Sequence, residues 1–328
     1  MAYSLALDKA EDILAKYFRE YGLYYTMGDA SKKLELTVLY EEMSNVCALY
    51  QSHRMFVYFA ALQIFHCLFV DESAFDRYKL KPVEDIMAEV EETFAMYPKD
   101  GIYAHLKLLF EYIKFEYYLK HEIYTKARLI LNEINNKIPS LLIHYENYSF
   151  PAQVLVGKLM LKLAGLINDD THPDLNLFSN FKIKHCSTPA KVIYYVFRAL
   201  TCYDAKDYAR ASKWLFELNN EVSFKENNIL QLEVKCLITY IKYVQKDERL
   251  SSQSLTSAQR ILRIIGAEKV PHLAIFVKML AILNSDRKRD KVAKLNHQLD
   301  LLYAFQPIKF QPTLLIKIDR KALLKTVN

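Results

Sequence analysis

Apolar residues return every three to four positions along most of this chain, the spacing of one face of a helix. Leu7, Ala10, Leu14, Tyr17 and Phe18 mark a predicted helix over 4–21, closed by Gly22 or Gly28. Asp29 and Ser31 precede a second, carrying Leu34, Val38, Tyr40, Met43, Val46 and Leu49. A third, over 53–70, is apolar on almost every face, as expected of core or of an interface. Pro82 suits the first turn of a helix ending near residue 97, and Glu84 and Asp85 match the positive end of its dipole. Pro98-Lys99-Asp100-Gly101 is a strong break. A hairpin follows, 102–119 with 123–138, and Pro139 and Pro151 bracket an apolar stretch of undefined type. Helix resumes over 152–167.

The polar run 168–173 and the segment up to Pro189 read as a linker. Three predicted pairs come after it: 190–203 with 207–219, 227–245 with 254–265, and 270–283 with 290–303. The Pro-marked, β-branched end, from Pro307 to Ile318, reads as an extended tail whose apolar content favours docking on the helices. The expected organisation is a helical-hairpin half over 1–170, a linker or hinge over 171–189, a second helical half over 190–306 and a tail over 307–328.

Composition narrows this to an all-α fold. Only 6 of the 328 residues are Gly, too few for the tight turns of most all-β folds. No phosphate-cradling glycine motif occurs. The 24 Tyr and 18 Phe suit half-buried seams between helices. Five cysteines without C-x-x-C spacing point to a reducing compartment, and the N-terminal stretch has no signal-peptide pattern. The expected location is cytoplasmic, with no membrane span. Residues 1–100 hold 10 Lys+Arg against 17 Asp+Glu, and 281–328 hold 10 against 4.

Two segments repeat one signature: Tyr118…Tyr124-Thr125-Lys126-Ala127…Leu131, and Ala199…Tyr203…Tyr208-Ala209-Arg210-Ala211…Leu215. In both, Tyr-x-x-Ala opens the second helix of a hairpin. The segment with Tyr195, Ala199, Tyr208, Ala211, Leu215 and Leu218 resembles a tetratricopeptide repeat. In the first segment Phe115 stands where that family has a small residue, and Ala127 and Ala211 are 84 residues apart, not a multiple of 34. A degenerate tetratricopeptide array and a generic α-solenoid both fit. The resemblance implies stacked hairpins whose first helices line a concave wall. At the matching offsets that wall would present Tyr112, Glu116, Leu119 and Lys120 from one hairpin, and Ile193, Val196, Leu200 and Tyr203 from the other.

Searches for chemistry end without a constellation. His121-Glu122 begins a zinc-protease pattern whose fifth position is Thr125. His185-Cys186 has no second ligand pair nearby, and His66-Cys67 sits in the apolar third helix. Glu41-Glu42, Asp71-Glu72 and Glu91-Glu92 read as solvated helix faces. The basic run Arg287-Lys288-Arg289 with Lys291 and Lys294 is diluted by Asp286 and Asp290 and lacks stacking aromatics, so nucleic acid is a minor alternative. The expectation is a non-enzymatic adaptor for a protein or peptide, without cofactor or metal. A ligand-responsive regulator is the alternative. A Tyr112→Ala, Tyr203→Ala variant is expected to stay folded and lose partner capture.

Overall fold

The computed structural model describes residues 2–27, 30–144, 150–167, 187–225, 227–285, 290–305 and 310–325. Every regular element among them is helical. The chain divides into two compact units, Met1–Ala190 and Lys191–Asn328. Most of the expected linker, and with it His185-Cys186, lies outside the described residues, as does Arg287-Lys288-Arg289.

In the first unit the helices are α1 (Ala2–Met27), α2 (Ala30–Leu49), α3 (His53–Phe69), α4 (Ala74–Tyr78), α5 (Val83–Met96), α6 (Gly101–Lys120), α7 (Tyr124–His144) and α8 (Phe150–Leu163). Helix α3 starts where the Ser52 hydroxyl accepts the Met55 N–H at 3.2 Å, a side-chain cap on an otherwise orphan donor. Its unbroken apolar surface is explained by its position: it packs on α1, α2, α4, α5 and α6. Residues 53–70 are therefore core of this unit. Tyr17, Phe18, Tyr21, Phe65 and Phe69 interlock around it, Phe18 and Phe65 with ring centres 5.0 Å apart. His66 is buried, stacked on Tyr40 at 4.7 Å and hydrogen-bonded to the Tyr17 hydroxyl at 3.1 Å, so it is a satisfied core histidine.

Helix α6 packs on α3, α7 and α8. Asp100 caps it, its carboxylate accepting the N–H groups of Ile102 and Tyr103. Helix α1 runs past Gly22 and ends at Met27, just before Gly28, the second of the two expected stops, while α7 runs past the expected break at Pro139 to His144. Glycine and proline lower helix stability, and here neighbouring turns carry the helix past them.

The second unit begins within α9 (Thr188–Asp204) and continues with α10 (Tyr208–Glu221), α11 (Asn228–Val244), α12 (Glu248–Ile265), a 3-10 turn (Ala267–Lys269), α13 (Pro271–Leu283), α14 (Lys291–Tyr303), α15 (Pro312–Leu315) and α16 (Arg320–Lys325). Helix α11 is the centre, packing on α10, α12, α13 and α15. Helix α13 packs on α12 and α14 as well.

One turn joins three hairpins. Between α9 and α10, Lys206 is left-handed at φ 61°, its N–H bonds to the Tyr203 carbonyl at 2.9 Å, and the Asp207 N–H bonds to the Cys202 carbonyl at 2.9 Å. Between α11 and α12, Lys246 at φ 62° and Asp247 repeat these bonds to Tyr243 and Lys242. Between α6 and α7, Glu122 at φ 56° and Ile123 repeat them to Leu119 and Tyr118. The paired bonds satisfy carbonyls that a helix end otherwise leaves open. Asp207 and Asp247 then cap the next helix, accepting the N–H groups of Arg210 and Leu250. Four residues on stand Ala127, Ala211 and Ser251, all fully buried. The Ser251 hydroxyl donates back to the Thr239 carbonyl at 3.2 Å, which lets serine take the place of alanine.

The expected strand-like tail, Pro307 to Ile318, is corrected from Phe310 on, its first residues lying outside the described ones. Pro312 opens a short helix, Arg320–Lys325 forms another, and no strand occurs among the described residues. A lone extended segment has no ladder to join here. Docking does occur: Phe310, Leu315, Ile316, Ile318 and Leu323 are buried, and Tyr303 donates to the Ile318 carbonyl at 3.1 Å.

Candidate functional site

The eight residues placed on a groove wall fall into two sets. Ile193, Val196, Leu200, Tyr203, Tyr112 and Leu119 are all buried. A side chain without accessible surface cannot line an open groove, so these six are packing residues. Tyr203 shows why: its hydroxyl meets that of Tyr240 at 3.1 Å, and burial pushes its pKa up to about 12. Lys120 is exposed but already engaged, donating to the Leu68 carbonyl and to Glu72 while lying 5.5 Å above the Phe69 ring. It ties α6 to the end of α3.

Glu116 differs, because it lies deep among the helices yet keeps part of its surface accessible. Helix α6 sets it one turn from Tyr112, so both face the same way. From α1, Tyr21 and Tyr25, also one turn apart, bring stacked rings with centres 5.9 Å apart. Tyr25 is likewise part-exposed. From α8 comes Gln153, whose Oε1 accepts the Tyr112 hydroxyl. Tyr112 is also hydrogen-bonded to Glu116. Glu116, Tyr112 and Gln153 thus form one polar chain across two helices. At its end, Gln153 Nε2 is buried without a hydrogen-bond partner, and the residue is 2% exposed.

Burial disfavours the ionised carboxyl and pushes the Glu116 pKa up to about 8, against the opposing effect of the Tyr112 bond. Tyr21, Tyr25 and Tyr112 are held well above the usual phenol range, by burial first and with the Glu116 charge adding to it. Of this cluster the sequence pattern finds Tyr112 and Glu116. Tyr21 and Tyr25 sit in the run Tyr21-Gly22-Leu23-Tyr24-Tyr25, whose i, i+4 aromatic spacing was the available signal. Gln153 had none.

The second unit holds another buried carboxylate. Glu233 on α11 lies 2.9 Å from His272 Nε2 on α13 and accepts the Thr313 N–H at 2.8 Å. Both partners belong to this unit, one to its core helix and one to its docked tail.

Other candidate groups are accounted for locally. His121-Glu122 is an exposed hairpin turn. Glu42 pairs with Lys9, Glu72 with Lys120, Glu91 with Lys114, and Asp71 with Lys33 and Arg77. Lys291 donates to the Leu283 and Ser285 carbonyls, closing the end of α13. No group of three or more metal-ligating side chains occurs among the described residues. No helix among them is long and apolar enough to cross a membrane.

Fold and site together define an all-helical protein built largely of hairpins, with a part-open tyrosine–carboxyl cluster in its first unit. Compared with protein-family models, curated proteins and solved structures, the chain matches none.

Proposed function

We propose that this chain is a non-catalytic helical-repeat protein that binds a peptide or protein partner, its hairpins stacked in the tetratricopeptide manner. Supporting the stack are the shared turn and four contacts of a first helix with the next first helix: α1 with α3, α3 with α6, α6 with α8, and α11 with α13. Such second-neighbour contacts are what a one-dimensional stack needs. The binding surface is the inner-helix face around Tyr25 and Glu116, not the buried positions named by offset. The observation that carries this reading is the part-exposed Glu116 joined to a buried, unsatisfied Gln153. Native chains rarely leave such a donor unpaired.

The test is capture from a random peptide display library by the wild type and by a Tyr25→Ala, Glu116→Gln variant with unchanged circular dichroism. Enriched peptides should bind the variant at least about tenfold more weakly, the loss of one anchoring contact. Equal binding by both, or no enriched peptide at all, would overturn the reading.

A further inference from the structure

The chemistry of the Glu116 cluster specifies its ligand more narrowly, building on the peptide-binding reading above. The Tyr112 hydroxyl is hydrogen-bonded to the Glu116 carboxyl, the phenols of Tyr21 and Tyr25 feel its charge, and ring faces attract cations. Among the described residues no basic side chain pairs with Glu116. Lys120, one turn further along α6, is engaged by the Leu68 carbonyl and Glu72. Among the described residues, the groups that interact with the carboxyl are Tyr21 and Tyr25 from α1 and Tyr112 from its own helix, with Gln153 reached from α8 through Tyr112. Phe65 and Phe69 of α3 back the Tyr21 ring, at 4.6 and 6.5 Å between centres.

The polar chain also has a direction. The Tyr112 hydroxyl has one proton and gives it to Gln153 Oε1. Its bond with Glu116 must then run the other way, from a protonated carboxyl to the phenol oxygen. In that state Glu116 is neutral and Gln153 Nε2 is left over. An ionised Glu116 would instead take the Tyr112 proton, and the Gln153 amide, turned over, would donate Nε2–H to the phenol oxygen. The second arrangement removes the orphan donor. What it lacks is a counter-charge for the carboxylate.

We propose that the part-exposed Glu116 and Tyr25, backed by the buried Tyr21 and Tyr112, are a binding site for a protonated alkylamine, of the kind a lysine side chain of a partner peptide carries. The ammonium pairs with the Glu116 carboxylate, its methylenes lie against the Tyr25 ring, and the Glu116 proton leaves to solvent. The Tyr112–Gln153 bond reverses with it. Binding therefore weakens as pH falls below the carboxyl's range, because the competing proton stays on.

The experiment uses full-length protein with 13C at glutamate Cδ and n-butylammonium chloride as the probe. The Glu116 resonance, assigned by its absence in Glu116→Gln, should titrate near pH 8 in the free protein. Saturating amine should lower that midpoint by at least about one unit, the tenfold preference of an ion pair for the ionised form. Sodium butyrate at the same concentration should leave it in place. An amine of this size is expected to bind in about the millimolar range. A Glu116 midpoint that does not move with n-butylammonium, or moves equally with butyrate, overturns the inference. If the amine shifts Glu116 while the display library enriches nothing, the amine site stands and the peptide-binding reading fails. If enriched peptides bind but replacing their lysines by norleucine changes nothing, the reading stands and the amine site fails.

Discussion

Glu116 and His66 pull the first unit's stability in opposite directions with pH. The Glu116 pKa rises from 4.5 to about 8 on folding, chiefly through burial. The folded chain therefore holds its proton more tightly, and this contribution is complete below pH 4.5 and is lost as pH rises through 8. Burial lowers His66 from 6.5 to about 4, with Asp71 opposing and Lys33 and Arg77 assisting. Its contribution is complete above 6.5 and is lost as pH falls toward 4. Each group can tilt stability by at most about 1.4 kcal/mol per pH unit. Urea unfolding of Glu116→Gln from pH 5 to 9 should show a flatter decline above pH 6.5 than the wild type; a parallel decline would count against the buried carboxyl. A Tyr17→Phe, His66→Phe variant, which removes both partners of a 3.1 Å buried bond, should lose the His66 contribution between 6.5 and 4, so that the decline with rising pH due to Glu116 begins near pH 4.5 instead of near 6.5. At this scale the sequence was a partial guide. It marked His66 as core from the apolar run around it, and it placed Glu116 by offset. It could not separate Glu116 from Tyr112, because helical spacing says which residues share a face and not how much of that face a neighbour covers.

Among elements, the hairpins were the most legible part of the chain. Tyr-x-x-Ala marked two of them because a small residue at the fourth position lets the helices close. The third hairpin escaped its true start, since Ser251 and Glu248 replace the alanine and tyrosine there. Its signal was the turn itself, Tyr203-x-x-Lys206-Asp207 recurring as Tyr243-x-x-Lys246-Asp247. Phe115, the large residue at a small position, is explained by α8. A Cβ on Gly157 would stand 2.4 Å from the Phe115 ring and 2.6 Å from Leu119 Cδ1, so the small partner stands on α8. This pairing gives a coupled prediction. Gly157→Ala should destabilise by about 1–3 kcal/mol, the usual result of overpacking. Phe115→Leu alone should cost about as much by leaving space. Together the two should cost less than their sum, measured as a double-mutant cycle in urea. Simple additivity would mean that the two side chains do not share the space.

For the whole molecule, scarce glycine and helical periodicity foretold an all-helical chain, but they could not assign the tail or the open surface. Residues Pro307 to Ile318 look strand-like in isolation, and the outcome depends on α11 and α13, which offer an apolar face and a buried carboxylate instead of a sheet edge. The same limit explains the groove residues. Tyr112 and Tyr203 sit on the first helices of their hairpins, as the offset rule requires, yet both are under 9% exposed. The Tyr112→Ala, Tyr203→Ala variant should therefore lose stability, by several kcal/mol at two aromatic core sites, and not report selectively on binding. The tail makes a sharper test of what holds the second unit. Thr313 gives its N–H to Glu233 at 2.8 Å, while His272 takes the other oxygen. Thr313→Pro removes that donor at the second residue of a helix opened by Pro312, where proline's backbone angle is tolerated. Glu233 is left with one partner fewer in a dry site, an expected loss of about 1–3 kcal/mol. In Glu233→Leu chains the same proline should cost little, because no carboxylate remains to be stranded. An equal loss in both backgrounds would show that the proline acts by distorting the tail's backbone, and that Glu233 is not what anchors it.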